Sequence, residues 1–96
     1  MKIREAQELI KASYAEKDGK RGVDGTFMYL VEEIGELATA LREESDEECA
    51  MEFADCFAWL ISIANLKGID LEDAFIKKYT VCSHCKQTPC CCETKP

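Results

Sequence analysis

Two pairs of acidic residues, Glu33 with Glu36 and Glu52 with Asp55, are spaced for metal chemistry. Each residue of an α-helix turns by about 100°, so side chains three apart project side by side from one face. In the first segment Leu30, Ile34, Leu37, Ala38 and Leu41 form an apolar stripe, and Glu33 and Glu36 lie on its flank. In the second, Phe53, Cys56, Phe57, Trp59, Leu60, Ile61, Ile63, Ala64 and Leu66 leave little of the circumference polar, as in a buried helix. Glu52 and Asp55 point along the side of Trp59 and Ser62, into the interior or a cleft in it. Arg42 lies on another face, and no Lys or Arg occurs between Arg42 and Lys67. Two like charges about 4 Å apart repel by about 4 kcal/mol at the effective dielectric of a protein surface. Four converging carboxylates therefore call for protonation or a cation. Carboxylate oxygens suit Mg²⁺ or Mn²⁺, and Mg²⁺ prefers a few carboxylates plus substrate phosphates to a closed protein cage. A solvated helix face accounts for any one acid pair, but has no need of two matched pairs beside a core.

A second constellation is the run Cys82-Ser83-His84-Cys85-Lys86-Gln87-Thr88-Pro89-Cys90-Cys91-Cys92. Two residues between Cys82 and Cys85 let both sulfurs turn into one site. Cys90 and Cys92 can complete a tetrahedral four-sulfur site of the kind Zn²⁺ favours, and the unit resembles a zinc knuckle. Lys86 stands where glycine often makes the tight turn, so His84 and Cys91 remain alternative ligands. A thioredoxin-like redox pair needs a helix opening within a βαβ context, which the sequence lacks. A closed four-cysteine site is structural.

Helices must position these groups. Ile3, Ala6, Leu9, Ile10 and Tyr14 recur at helical spacing up to Asp18-Gly19, predicting a first helix over 2–17 and a polar loop over 19–25. Asp24 or Thr26 caps a second helix running to about Arg42. Ser45-Asp46-Glu47-Glu48 reads as a capping box that opens a third helix, ending at Gly68 and drawing Asp46, Glu47 and Glu48 to its positive end. Asp70 caps a fourth over 71–78. The expected fold is all-α: an antiparallel bundle of about four helices over 1–80, with a cysteine-rich tail over 81–96.

At 96 residues the chain is one small domain whose core is marginal in size. A helix apolar on most sides then predicts a homo-oligomer, dimer or tetramer. A net charge of −7 argues against nucleic acid or an anionic membrane as partner. No signal-like segment or run of 18 uninterrupted apolar residues occurs, which predicts a cytoplasmic protein. Cys49 and Cys56 then read as reduced core residues.

With its flanking residues, the acid pattern is similar to a known family. Glu32-Glu33-x-x-Glu36 followed by Glu52-x-x-Asp55 resembles the signature of the MazG-like all-α nucleoside triphosphate pyrophosphohydrolases. The likeness includes Phe27, Leu30 to Ala38, Trp59-Leu60, Ala64-Asn65, Gly68 to Glu72, Ala74-Phe75 and Lys78-Tyr79. Some relatives also carry Pro-Cys-x-Cys after a C-x-x-C pair, which favours Cys82, Cys85, Cys90 and Cys92 as ligands.

The resemblance implies Mg²⁺-dependent hydrolysis of a (d)NTP to (d)NMP and pyrophosphate, with Glu33, Glu36, Glu52 and Asp55 holding Mg²⁺ (or Mn²⁺). Glu32 would orient a ligand or accept the water's proton. Asn65 would lie near the nucleotide and Lys78 would contact phosphate. Lys20 and Arg21 can approach a polyphosphate or simply be solvated, and Trp59 and Phe27 can stack on a base or belong to the core. A specialised nucleotide such as dUTP, dCTP or phosphoribosyl-ATP is a variant of the same reading. The alternative class is a non-catalytic helical oligomerisation or partner-binding module with a zinc-stabilised tail.

Overall fold

Asp18 and Gly19, expected to end a helix, continue one. The computed structural model describes residues 1–94, and among them has three helices and no strand. These are α1 over Ile3–Glu43, α2 over Asp46–Lys67 and α3 over Leu71–Tyr79. The stretch 19–25, expected as a loop, is helical, and the first two of the four expected helices join in α1 across a kink. Its one interruption is Gly22, at φ 74° and ψ 175°. That conformation is open to glycine and strained for any residue with a Cβ. The cap signal at Asp18-Gly19 misleads because the Asp18 side chain turns into the protein, where it is 2% exposed.

Gly22 divides α1 into two arms. An unbroken helix of 41 residues would be about 61 Å long, whereas the longest dimension of the molecule is 43 Å. The first arm meets the C-terminal end of α2, where Gln7 joins three elements. Its Nε2 donates to Asn65 Oδ1 (3.1 Å) and the Ile69 carbonyl (2.9 Å), and its Oε1 accepts from the Leu71 amide (2.7 Å). The second arm runs antiparallel to α2, with Tyr29 against Trp59 and, further on, Cys49 Sγ donating to the Ala40 carbonyl at 3.2 Å.

The other boundaries follow their local chemistry. Ser45 Oγ accepts from the Glu48 amide (3.3 Å), which is the first half of the expected capping box. Gly68, at φ 68° and ψ 28°, closes α2 in the left-handed conformation, and the Ile69 amide reaches the Ala64 carbonyl at 2.9 Å. Asp70 Oδ1 caps α3 by accepting from the Asp73 amide at 3.0 Å.

The core of the single chain is thin. Leu30, Ala40, Ile61 and Ala64 are its buried apolar residues, with Thr26 and Ser62 buried beside them. The face that α1 turns to α2 carries Thr26, Leu30, Glu33, Leu37 and Ala40, while Ile34 and Leu41 of the expected stripe are 51% and 59% exposed. On α2, Phe53 and Phe57 are also exposed. The radius of gyration is 15.6 Å, against about 12.5 Å for a compact domain of this length. Helix α2 is long and apolar enough by composition to cross a membrane, with a mean hydropathy of 1.3 over its best 18 residues. Glu52 and Asp55 in its middle would be costly in lipid, and that face is instead turned to α1.

Candidate metal centre and adjoining cleft

The antiparallel contact of α1 with α2 brings Glu33, Glu36 and Glu52 together. Each offers a carboxylate oxygen within 4.8 Å of the others. Glu33 and Glu52 are half-buried, and each has one oxygen, Oε2, that is buried and lacks a hydrogen-bond partner. Burial, followed by repulsion from Glu36, a hydrogen bond with it, and the charges of Asp55 and Glu52, holds the Glu33 carboxyl above the usual carboxylate range. Cys56, one residue on from Asp55, has its thiol pushed up by burial and then by the same four acids. The site is thus a concentration of negative charge in which two buried oxygens want a cation or a proton. The donor set fits a hard divalent cation such as Mg²⁺.

The remaining expected residues stand differently. Asp55 lies outside the three-carboxylate group and lines an adjoining cleft. Glu32 is exposed at the position just before Glu33 on α1. Asn65 is engaged by Gln7, with its Nδ2 donating to the Gln7 carbonyl at 3.2 Å, and it sits ten residues, about 15 Å of helix rise, beyond Asp55. Lys78 is on α3, its Nζ 5.4 Å from the centre of the Tyr79 ring. Neither Asn65 nor Lys78 is among the residues that line the adjoining cleft. Phe27 is exposed.

The cleft has a volume of about 250 Å³. Tyr14, Lys17, Asp18 and Arg21 of the first arm of α1 face Asp55, Ala58, Trp59 and Ser62 of α2 across it. Both sets follow the three-and-four spacing of one helix face. Trp59 stacks on Tyr29 with ring centres 5.0 Å apart and planes 12° from parallel. The Arg21 guanidinium lies 5.0 Å from the Trp59 ring and 5.4 Å from Tyr29, a cation–π contact with both. Arg21 Nη1 also donates to Asp18 Oδ1 at 3.2 Å. Asp18 is the residue that sequence reasoning passed over, since Asp-Gly signals a helix end. Its signal was its position, one turn beyond Tyr14 and one turn before Arg21.

In the tail, Cys82, Cys85, Cys90 and Cys92 each offer a sulfur within 4.8 Å of the others, whereas His84 and Cys91 are not in the group. Two of the spacings are 3.9 Å (Cys82 to Cys92) and 4.0 Å (Cys85 to Cys90). A tetrahedral ion with bonds of about 2.3 Å sets its sulfurs about 3.8 Å apart. Amides of Cys91 and Cys92 donate to the sulfurs of Cys85 and Cys90, both at 3.3 Å. The Cys91 amide is the main reason that the Cys85 thiol is drawn down to about 5. Lys86 does take the left-handed conformation expected of a knuckle turn (φ 64°). This cluster could hold a metal. Lys95 and Pro96, the end of the expected tail, lie outside the described residues.

The family model for the MazG nucleotide pyrophosphohydrolase domain matches residues 21–85. The match includes Glu33, Glu36, Glu52 and Asp55, and it begins after Tyr14, Lys17 and Asp18.

Proposed function

From the premise that the chain belongs to the MazG nucleotide pyrophosphohydrolase family, we propose that it hydrolyses a (d)NTP to (d)NMP and pyrophosphate in a Mg²⁺-dependent reaction. The observation that carries this reading is the convergence of Glu33, Glu36 and Glu52, with two buried oxygens left unpartnered. When bound, Mg²⁺ (or Mn²⁺) supplies neutralisation of the triphosphate and a water of lowered pKa. Glu33, Glu36 and Glu52 would hold it, and Asp55, which lines the cleft, would be the fourth acid toward the substrate. Glu32, exposed on α1, would orient a ligand or accept the water's proton. The attacking oxygen forms a new bond to the α-phosphorus while the bridging oxygen leaves with pyrophosphate.

Residues 1–80 form the helical catalytic unit in this reading, and 81–96 a tail closed by structural Zn²⁺ on Cys82, Cys85, Cys90 and Cys92. The exposed Ile34, Leu41, Phe53 and Phe57 support a dimer or tetramer that covers them. Light scattering at micromolar concentration checks this, and a monomer would overturn it.

The reaction is tested by pyrophosphate release from a panel of (d)NTPs with and without Mg²⁺, for the native chain and Glu33→Gln. Release that needs both Mg²⁺ and Glu33 is the expected result. Its absence across the panel, in folded protein that binds Mg²⁺, would favour the partner-binding module or a specialised nucleotide.

A further inference from the structure

The cleft beside the carboxylates holds a buried anion with an oxygen to spare. The Asp18 side chain is 3% exposed, and only its Oδ1 is engaged, by Arg21. Its Oδ2 is buried and has no partner. A buried acceptor left in this state costs free energy that an incoming donor recovers, the more so when the acceptor is charged. A fully ionised polyphosphate has no donor to offer and would be repelled. The charge of Arg21, the nearest cation, is already paired with Asp18 and lies against the Trp59 and Tyr29 rings, which leaves N–H groups to donate but no surplus charge for a phosphate. The deep wall of this cleft is therefore built for a neutral group that carries N–H.

The axis of the cleft agrees. Along α2 it extends from Asp55, at the carboxylate end, to Ser62, seven residues and about 10 Å of rise away. A substrate whose phosphates lie at the glutamates would send its nucleoside along this line. Trp59 forms one wall, with one face held by Tyr29. The opposite wall, with Tyr14, Lys17 and Asp18, precedes the segment matched by the family model. The part of the chain shared with the family carries the acids, and the part outside the match carries the unpaired acceptor.

The geometry points to this cleft as the nucleoside subsite, with Asp18 selecting a base whose Watson–Crick edge sets an exocyclic amino group next to an unprotonated ring nitrogen, as in cytosine and adenine but not in guanine, whose N1 carries a proton. Asp18 Oδ2 accepts from the amino group, and the neighbouring Arg21 guanidinium donates to the ring nitrogen. Uracil and thymine offer only an imino N–H flanked on both sides by carbonyl oxygens, one of which would face the carboxylate. Asp18 is thus a specificity residue. The inference rests on the nucleotide reading of the site but not on catalysis.

Trp59 is the only tryptophan of the chain and lies in the cleft wall, so its fluorescence reports occupancy. The full-length protein is titrated in Mg²⁺-free buffer with CMP, AMP, UMP and dTMP, alongside Asp18→Asn, whose shape is preserved. The native chain is expected to bind CMP or AMP about tenfold or more tighter than UMP and dTMP, and Asp18→Asn to bring the ratio to about twofold or less. Equal binding of all four by the native chain would overturn the proposal, and so would a ratio unchanged in folded Asp18→Asn. If the variant does not fold, the native panel alone decides. Selective binding without pyrophosphate release would sink the hydrolase reading and keep the subsite. Hydrolysis indifferent to the base would do the reverse.

Discussion

Replacing Glu33 by Gln should stabilise the metal-free protein while removing its response to Mg²⁺. Carboxylate oxygens of Glu33, Glu36 and Glu52 lie within 4.8 Å of one another, a spacing at which two full charges repel by about 3.5 kcal/mol or more at an effective dielectric of about 20. Glu36 is exposed and its share is screened, so the repulsion that counts is between the half-buried Glu33 and Glu52. The amide removes that repulsion, lifts the desolvation penalty on Glu33 and donates N–H to a neighbouring carboxylate. A net gain of about 1–2 kcal/mol is expected, which for a domain of this size raises Tm by about 5 °C or more. Mg²⁺ at a hundredfold excess over its Kd stabilises the native chain by about 2.7 kcal/mol, and the variant should lose most of that. Calorimetry with and without Mg²⁺, at one protein concentration, reads both effects. A folded variant that melts below the native chain without metal, or gains as much from Mg²⁺, would refute the electrostatic account.

The raised carboxyl of Glu33 sets a pH dependence. Between its ordinary value of 4.5 and its higher folded value, the folded chain keeps a proton that the unfolded chain has lost, so metal-free stability falls as pH rises through that window. Melting curves over pH should show this slope without Mg²⁺ and lose it with Mg²⁺; a slope of the opposite sign would contradict the assignment. Elemental analysis should find about one zinc per chain and almost none in Cys85→Ser, with far-UV circular dichroism of the helices nearly unchanged; a native chain without zinc would dismiss the site. Gly22→Ala places a Cβ at φ 74° with open space around it, so its cost is backbone strain alone, about 1–3 kcal/mol by denaturant titration. An unchanged midpoint would mean that the two arms do not depend on this joint.

Much of this site was legible because its residues act through local spacing. Glu33 with Glu36 is one turn of helix, and Glu52 with Asp55 is the matching turn on a helix apolar around most of its circumference. Ser45, Gly68 and Asp70 marked their boundaries for reasons confined to a few neighbours. Asp18 was not legible, since a turn signal was overridden by burial against α2 and a pairing with Arg21. The apolar stripe was misplaced by about one position, because sequence shows which residues are apolar but not which way one chain turns them. Ile34 and Leu41 satisfy the helical period and still face outward. Gln7 gave no warning at all: a polar residue in an amphipathic helix becomes the junction of α1, α2 and α3 only once those elements meet.

The joint at Gly22 separates two tasks that an unbroken helix would tie together. Residues before it supply the wall with Asp18, and residues after it supply Glu33 and Glu36. Turning or resizing the first arm changes what the cleft admits while leaving the carboxylates in register with α2. On the proposed reading, a chain of this design would exchange one ligand preference for another by substitutions confined to its first two dozen residues, and keep the carboxylates of the candidate metal site in place.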